Sequence, residues 1–333
     1  MSGSRRGSRG RTPRTSGEGA DQDAGARGAG PVNRTGALLV VGDVVTDVVA
    51  RHRAPLAPAT DTAAAIRTLP GGAGANAACW AARSGHPEVR LLARVGTDSA
   101  DWHERALVEA GVRPLLVPDP EAPTGTVIAL VDAAAERTFL TDGGAVLRLC
   151  PADWSAGLLD GVAALHLSGY LFFAPPSRAA ALLALRDARA AGTPVSVDPA
   201  SAGFLAELGP ERFLAAVDGV SLLLPNADEA RLLTGAADAE AAARELSRRI
   251  PRVVVTLGAA GALVAEEGLV TARVTAPPVA PARRVDSTGA GDAFTGAFLA
   301  ARLAGADPAE AAAAGCAAGA EAVTLVGGRP PSV

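Results

Sequence analysis

The sequence DSTGAGDAFTGAFLAARLAG, residues 286–305, runs from a glycine-rich loop directly into a predicted amphipathic helix. The first N–H groups of such a helix have no partner within it, and the helix dipole adds partial positive charge. The backbone of Gly289, Ala290 and Gly291 is therefore predicted to bind an anion. Asp292 would be poorly placed beside an anion unless it takes a proton from a group that attacks there. Aspartate also caps helix starts, so the spacing alone leaves both interpretations open.

A second glycine-rich segment, LPGGAGANAACWAARSG (69–85), precedes another predicted helix. Its glycines allow the backbone to approach a ligand closely, and Asn76 offers both a donor and an acceptor. Gly72, Gly74 and Ala77 also satisfy a loose GxGxxA dinucleotide pattern, although we predict no strand directly before it. A tight turn with close helix packing is the alternative for this segment.

Outside these loops, short apolar strands alternate with helices rich in Ala, Leu, Arg and Glu. Asp307, Pro308 and Glu310 form a capping-box start for the last helix. Alternation of strand and helix predicts a largely parallel sheet covered on both faces. The predicted strands are 37–43, 89–96, 161–169, 193–199, 219–226 and 252–258, and the clearest helices are 177–192 and 307–323.

Two stretches, near 46–70 and 124–145, interrupt this rhythm with alternating, strand-like patterns and little helix. Alternation is typical of a sheet with one face in solvent. We therefore expect a small β-sheet lid beside the main sheet.

The amino-acid composition excludes several catalytic mechanisms. The chain has 333 residues, is 49% hydrophobic and 20% charged, and carries its 31 basic residues entirely as arginine. A Schiff base, a Ser-Lys dyad and a Walker A lysine are therefore excluded. A net charge of −4 gives no indication of nucleic-acid binding, and no apolar run is long enough to span a membrane. Cys79, Cys150 and Cys316 are odd in number and far apart, which favours reduced thiols in a cytoplasmic protein.

The first 36 residues differ from the rest. Residues 1–36 are rich in Arg, Gly and Ser, with almost no large apolar groups. Such a segment buries too little apolar surface to offset its ordering entropy, so we predict a disordered tail. Residues 37–333 are predicted to form one domain.

Taken together, the two glycine motifs resemble those of the PfkB, or ribokinase-like, carbohydrate kinase family. GGAGAN at 71–76 is similar to the family's N-terminal signature, and DSTGAGDAF at 286–294 is similar to its C-terminal signature. The resemblance extends over 37–333. It implies a ribokinase-like three-layer α/β/α fold, with a mostly parallel central sheet and a small β-sheet lid.

The resemblance also implies roles for individual residues. Asp292 matches the catalytic base, and the backbone of Gly289, Ala290 and Gly291 matches the anion hole. The other implied contacts are Asp47, Gly72 and Asn76 to the acceptor, Asn226, Glu229, Thr256 and Gly258 to the nucleotide, Glu229 to Mg²⁺ through water, and Asp286 to a monovalent cation such as K⁺.

Two aromatic or titratable residues are interpreted from their positions alone. Tyr170 follows a predicted strand at its carboxyl end, where α/β proteins bind ligands, so it is a candidate wall of the substrate pocket. His166 lies inside that strand and is interpreted as a core histidine.

The function implied is an ATP-dependent kinase, phosphorylating a hydroxymethyl group of a small sugar such as ribose, fructose or 2-keto-3-deoxygluconate. A nucleoside kinase, for adenosine or pseudouridine, is the nearest alternative within the family. An NAD-dependent oxidoreductase, suggested by the GxGxxA match, and a catalytically inactive sugar-binding protein are more remote alternatives. Homodimers through the lid are also implied, because an exposed lid offers a sheet edge.

Overall fold

A computed structural model describes residues 36–133 and 137–331. The tail predicted to be disordered lies, except for its last residue, outside this range. In chain order the described elements are β1 (Ala37–Val41), β2 (Val45–His52), β3 (Ala64–Gly71), α1 (Ala73–Arg83), β4 (Val89–Gly96), α2 (Ala100–Glu109), β5 (Val112–Asp119), β6 (Gly125–Val131), β7 (Arg137–Asp142), β8 (Val162–Ser168), α3 (Pro175–Ala190), β9 (Val195–Asp198), α4 (Ala202–Leu208), α5 (Pro210–Ala216), β10 (Leu222–Leu223), α6 (Ala227–Thr234), α7 (Ala239–Leu246), β11 (Arg252–Thr256), β12 (Ala262–Glu266), β13 (Leu269–Val274), α8 (Ala290–Leu303) and α9 (Pro308–Ala322).

The main sheet has nine strands in the order β13-β12-β11-β10-β9-β8-β1-β4-β5. From β11 to β5 every neighbouring pair is parallel. The chain first winds from β1 towards β5 and later from β8 towards β13, so the order reverses between β1 and β8. Ligands of open α/β sheets bind at such a switch point, beyond the carboxyl ends of the strands.

Helices cover both faces of this sheet. Alternate residues of β1 enter opposite cores: Leu39 and Val41 pack with residues of α3 to α7, whereas Leu38 and Val40 pack with residues of α1, α8 and α9. A strand buried on both faces reads as a continuous apolar run, as ALLVV does. The prediction of a three-layer, mostly parallel architecture is therefore confirmed.

The small sheet lies in the order β3-β2-β6-β7. Its strands match, to within one residue, the two stretches predicted to form a lid, and we call this sheet the lid. Val49, Ala129 and Val131 form a small apolar cluster on one lid face, with Leu69 packed against it. Strand β3 ends at Gly71, one residue before the cap of α1, so the expectation that no strand precedes the second glycine motif is wrong. That strand belongs to the lid rather than to the main sheet.

Three strands of the main sheet were absent from the sequence-based prediction. Strand β5 contains Pro114 and Pro118, and it tolerates them because it forms one edge of the sheet. Strands β12 and β13 pair antiparallel at the other edge, so the sheet is mixed at that end.

The predicted start of a helix is most accurate where residues next to it in the chain cap its first turn. Helix α9 begins as expected, with Asp307 accepting N–H bonds from Ala309 and Glu310, and Pro308 at the first position. Helix α3 begins two residues before its predicted start, because Pro175 and Pro176 occupy its first turn, where proline costs no hydrogen bond.

No helix in the described ranges is long and apolar enough to cross a membrane.

Candidate active site

The carboxyl ends of five neighbouring parallel strands carry the polar residues of the candidate site. Loops after β1, β8, β9, β10 and β11 end on the same edge of the sheet, because parallel strands point the same way. Along this edge, Thr256 of β11 and Asn226 after β10 lie at one side, and Asp43 after β1 lies at the other. The backbones of Asn226 and Thr256 are bridged directly. Motifs that are distant in the sequence are thus brought to one edge of the sheet.

Helix α8 starts on that edge with the residues predicted to bind an anion, Gly289, Ala290 and Gly291, which we call the anion loop. Gly289 is its cap, in the left-handed conformation with φ 73°, and no side chain caps the first turn. A Cβ on Gly289 would come within 2.4 Å of the Gly328 backbone, whereas a Cβ on Gly291 would meet nothing within 4 Å. The space beside Gly291 is therefore open, whereas the N–H of Ala290 donates to the carbonyl oxygen of Ser287 at 3.4 Å. The helix itself is buried on nearly all sides rather than amphipathic as predicted.

Helix α1, which follows the other glycine motif, has its start occupied by a protein carboxylate. Asp43 accepts hydrogen bonds from the N–H groups of Ala73 (2.6 Å) and Gly74 (3.1 Å). A Cβ on Gly74 would lie 2.7 Å from the Gly42 Cα, so this glycine permits close packing of backbone on backbone. Sequence reasoning missed Asp43, although its position directly after β1 was a usable signal.

Asp292 lies in the first turn of α8 and is hydrogen-bonded to Asn76 of the glycine motif at 71–76. Asn76 Nδ2 donates a 2.8 Å hydrogen bond to its Oδ2. Burial raises the pKa of Asp292 well above its usual value; the Asn76 bond opposes this, and the charges of Asp198 and Asp43 reinforce it. A carboxyl group held this way has increased proton affinity, which suits a general base. Asn76 thus contacts the predicted base, and its predicted contact with the acceptor stays a prediction.

Asp47 lies on β2 of the lid, 8% exposed, against Gly71, where a Cβ would come within 2.2 Å of its Oδ2. Burial raises the pKa of Asp47 to about 7; Arg329 lowers it, and Asp43 and Asp286 raise it. The predicted acceptor-binding carboxylate therefore stands beside a buried arginine that sequence reasoning did not single out.

Tyr170 lies in the short 3₁₀ helix Gly169–Phe172 that follows β8. Burial raises the pKa of its phenol, and four surrounding carboxyl groups reinforce the shift. Its ring packs edge-on against Phe173 and Phe204. The candidate pocket wall is therefore among the acidic groups of the site, which are Asp43, Asp198, Glu229 and Asp292.

Half-buried Asp198 and buried Glu229 form a pair of interacting carboxyl groups. Asp198 accepts bonds from the N–H of Ala200 and the hydroxyl of Thr295, and Glu229 accepts from the N–H of Asn226 at 2.8 Å. Burial raises the pKa of both, and the charge of Asp198 further raises the pKa of Glu229. A cation beside them would relieve this repulsion. Asp198 was missed in the sequence, although it ends a predicted parallel strand.

A cavity of about 770 Å³ opens beside the start of α8, a size typical of small-molecule sites. Two predicted nucleotide contacts, Thr256 and Gly258, share its lining with Ala290 and Gly291 of the anion loop. The rest is mostly apolar and includes the segment 275–279 and Cys316. The cavity therefore joins a surface suited to a planar base to the open helix start.

Asp286 also lines this cavity. Its Oδ1 accepts from the N–H and hydroxyl of Thr288, and its Oδ2 accepts from the N–H of Gly327 at 3.1 Å. The carboxylate thus joins the anion loop to the chain after α9. Its predicted contact with a monovalent cation stays a prediction.

The interpretation of His166 as a core residue agrees with its surroundings. It is 1% exposed, its Nδ1 lies 2.9 Å from the Ser196 hydroxyl, and burial lowers its pKa to about 4. The three cysteines are free thiols, in agreement with the sequence-based expectation.

The chain is similar to known proteins over most of its length. The model of the pfkB family carbohydrate kinases matches residues 36–333. A fructokinase from Klebsiella pneumoniae is 31% identical over 281 residues, covering 80% of this chain and 84% of that protein. A ribokinase from Mus musculus is 30% identical over 271 residues, covering 79% and 80%.

Solved structures share the fold. An adenosine kinase from Sinorhizobium meliloti superposes with a TM-score of 0.81 at 23% identity, covering 89% of this chain and 96% of that one. A structure from E. coli in complex with ATP and Mg²⁺ superposes with a TM-score of 0.77 at 24% identity, covering 88% and 94%. The predicted ribokinase-like architecture is therefore confirmed.

Proposed function

The chain belongs to the pfkB family of carbohydrate kinases, and we propose that it transfers the γ-phosphoryl group of ATP to a hydroxymethyl group of a small sugar. As a family member it is a phosphotransferase with an alcohol acceptor. The observation that carries the finer proposal is the continuity of the cavity with the open start of α8, beside the buried carboxyl group of Asp292.

Each end of this site suits one substrate. The apolar cavity, with Thr256 and Gly258 in its lining, suits the base and ribose of ATP. The N–H groups of the anion loop at Gly289, Ala290 and Gly291 suit the transferring phosphoryl group, whose charge grows on its outer oxygens. Asp47 suits the hydroxyl groups of the acceptor, and Tyr170 walls the same side.

In the proposed step, Asp292 takes the proton from the acceptor hydroxyl, the freed oxygen bonds to the γ-phosphorus, and the bond to the bridging oxygen of ADP breaks. Positioning and charge stabilisation carry most of such a reaction. Asn76 fixes Asp292 by its 2.8 Å bond, so the carboxylate keeps its orientation while it holds the proton. A lysine-free chain can perform this transfer because backbone N–H groups do the work of a lysine.

The pair Asp198 and Glu229 fits Mg²⁺ bound mainly through phosphates and water. Mg²⁺ prefers one or two protein carboxylates plus substrate oxygens. Within the described residues, no group of three or more His, Cys, Asp or Glu side chains is arranged to hold a metal by itself, in keeping with that mode. When bound, Mg²⁺ would neutralise charge on the β- and γ-phosphates. Asn226, whose amide oxygen caps α6, is proposed to lie near those phosphates.

A panel of acceptors tests the proposal. ADP release is measured with ATP and Mg²⁺ against ribose, fructose, 2-keto-3-deoxygluconate, adenosine and pseudouridine. We expect turnover with one of the three sugars, with kcat/KM at least tenfold above that for either nucleoside. Higher kcat/KM with a nucleoside would replace the sugar assignment by the alternative within the family. Thermal stabilisation by ligands without ADP release from any acceptor would mean an inactive binding protein.

We also propose that the lid mediates homodimerisation. Ile66 on β3 and Leu140 on β7 are 64% and 54% exposed. By strand register they share the lid face opposite Val49 with Val48 and Ile128, and an exposed apolar sheet face favours association. Sedimentation should give a dimer for the native chain and a monomer for Ile66→Glu/Leu140→Glu. A native monomer at micromolar concentration would contradict it.

Cytoplasmic location and a K⁺ requirement at Asp286 are proposed on the family resemblance.

A further inference from the structure

A buried guanidinium lies at the acceptor side of the site, in the chain that follows α9. Arg329 donates one hydrogen bond, from Nη2 to the carbonyl oxygen of Gly71, at 3.1 Å. Its Nε and Nη1 are buried and find no hydrogen-bond partner among the described residues. An arginine stays protonated in proteins, and a buried charge is costly unless it has a counter-ion.

Three titratable groups interact with this guanidinium in the described part of the chain, and two of them are neutral. Burial lowers the pKa of His103 to about 4, with Arg329 itself as the next cause. Burial raises the pKa of the Cys79 thiol above its usual value. Asp47 remains as the group that can supply the opposite charge.

The backbone connects the same two side chains. Gly71, whose carbonyl oxygen accepts from Arg329, lies directly against the Asp47 carboxylate, with no room for a Cβ between them. Gly71 and Asp47 belong to the adjacent lid strands β3 and β2. Arg329 therefore fixes the strand that backs Asp47, and its positive charge favours the ionised form of that carboxyl group.

We propose that Arg329 is a positioning residue for the acceptor: its guanidinium favours the charged form of the Asp47 carboxyl group and holds the strand that aims it at the acceptor hydroxyl groups. The inference rests on the acceptor role proposed above for Asp47. The other charged groups facing Asp47 are Asp43, in the loop after β1, and Asp286, in the loop before α8, and both oppose its ionisation. Asp292 adds to the same acidic surroundings. Without Arg329, the charges around Asp47 would all oppose its ionisation, and its pKa would rise further.

A direct test measures the protonation of Asp47 without substrate. Protein labelled with ¹³C at the aspartate carboxyl groups is titrated by NMR, with the Asp47 signal assigned by its absence in Asp47→Asn. We expect the midpoint of Asp47 to rise by at least one pH unit in Arg329→Met and to stay near the native value in Arg329→Lys. Arg83→Met, which removes a surface arginine paired with Glu321, should leave it unchanged.

Steady-state kinetics supply the second readout. In Arg329→Met we expect the acceptor KM to rise at least tenfold at pH 7, with the ATP KM within twofold of native. The acid limb of acceptor kcat/KM should move to higher pH, and Arg329→Lys should restore most of the loss. In an Asp47→Asn background, Arg329→Met should raise the acceptor KM no further.

The possible failures are distinguishable. An unchanged Asp47 midpoint in a folded Arg329→Met protein overturns the inference, whatever the enzyme does. Equal losses for ATP and acceptor would also overturn it, because they indicate a merely structural role. If Arg329→Met does not fold, Arg329→Lys decides: a midpoint shifted by a unit or more there contradicts the inference. A native enzyme inactive on every acceptor defeats the proposed function, and the NMR titration still decides the inference.

Discussion

Asn76 Nδ2 lies 2.8 Å from Asp292 Oδ2, although 216 residues separate the two along the chain. The bond joins the first turn of α1 to the first turn of α8, and the helices themselves pack together. One glycine motif therefore holds the proposed base of the other in place. Gly328 packs against Asn76 so closely that a Cβ would come within 2.2 Å of its amide nitrogen, so the chain after α9 completes this arrangement.

Replacing Asp292 by asparagine should remove the base and leave the fold. We expect kcat to fall about 10²- to 10⁴-fold, the usual contribution of a general base, with ATP affinity within a few fold of native. Because burial raises the pKa of Asp292, its ionised form destabilises the folded state at neutral pH. The Asp292→Asn variant should therefore have a Tm at pH 8 no lower than that of the native protein.

The matched control for this variant is Asp307→Asn, since Asp307 occupies the cap of α9 and asparagine caps equally well. Its kcat should equal that of the native enzyme. Near-normal turnover by Asp292→Asn would refute the assignment of the base.

Removing the Asn76 side chain should affect kcat more than the acceptor KM. The Asn76 bond favours ionised Asp292, so in Asn76→Ala the pKa of Asp292 should rise and the acid limb of kcat should move to higher pH. We expect kcat to fall roughly tenfold at pH 7, about the value of one charge-assisted hydrogen bond. A rise in acceptor KM with unchanged kcat and pH profile would instead favour the direct acceptor contact implied by the family resemblance.

A methyl group at Gly291 should block the phosphoryl site without disturbing the fold. A Cβ there meets nothing within 4 Å, and alanine is favoured over glycine in a helix by up to about 1 kcal/mol. We expect Gly291→Ala to keep or raise Tm while kcat/KM falls at least 100-fold, because the methyl group occupies the space before the N–H groups.

Gly203→Ala provides a close control. Gly203 is likewise the second residue of its helix, α4, and its nearest neighbour to a Cβ is 3.8 Å away. Both variants should have similar stability, and only Gly291→Ala should lose activity. Full activity of Gly291→Ala would argue against an anion hole at this loop.

His166 should influence stability and not catalysis. Its pKa falls to about 4 through burial, from an unfolded value near 6.5. The unfolded chain therefore binds a proton that the folded chain excludes, and stability should fall as the pH drops from about 6.5 to 4, by up to about 3 kcal/mol. Urea unfolding of His166→Gln across this window should show a smaller loss, with kcat at pH 7.5 within twofold of native. A tenfold loss of kcat would give His166 a role in the reaction.

Local features of the fold were predictable because neighbouring residues determine them. The cap at Asp307, the buried run of β1 and the alternation in the lid each depend on a few adjacent residues. The two edges of the main sheet were less predictable. The prolines of β5 predict a loop, because proline cannot donate a hydrogen bond within a sheet. A strand can contain them here only because β5 lies at an edge of the sheet.

By itself, the sequence determined that a glycine-rich loop opens into a helix at 289–291 and that no lysine is present to assist it, since the start of a helix depends on local chain geometry. Only the tertiary structure decided that Asp43 occupies the start of α1, that Asn76 holds Asp292, and that Arg329 lies buried beside Asp47. Such pairs join segments far apart in the chain, so their contacts and the burial that shifts their pKa values arise only when strands and helices pack.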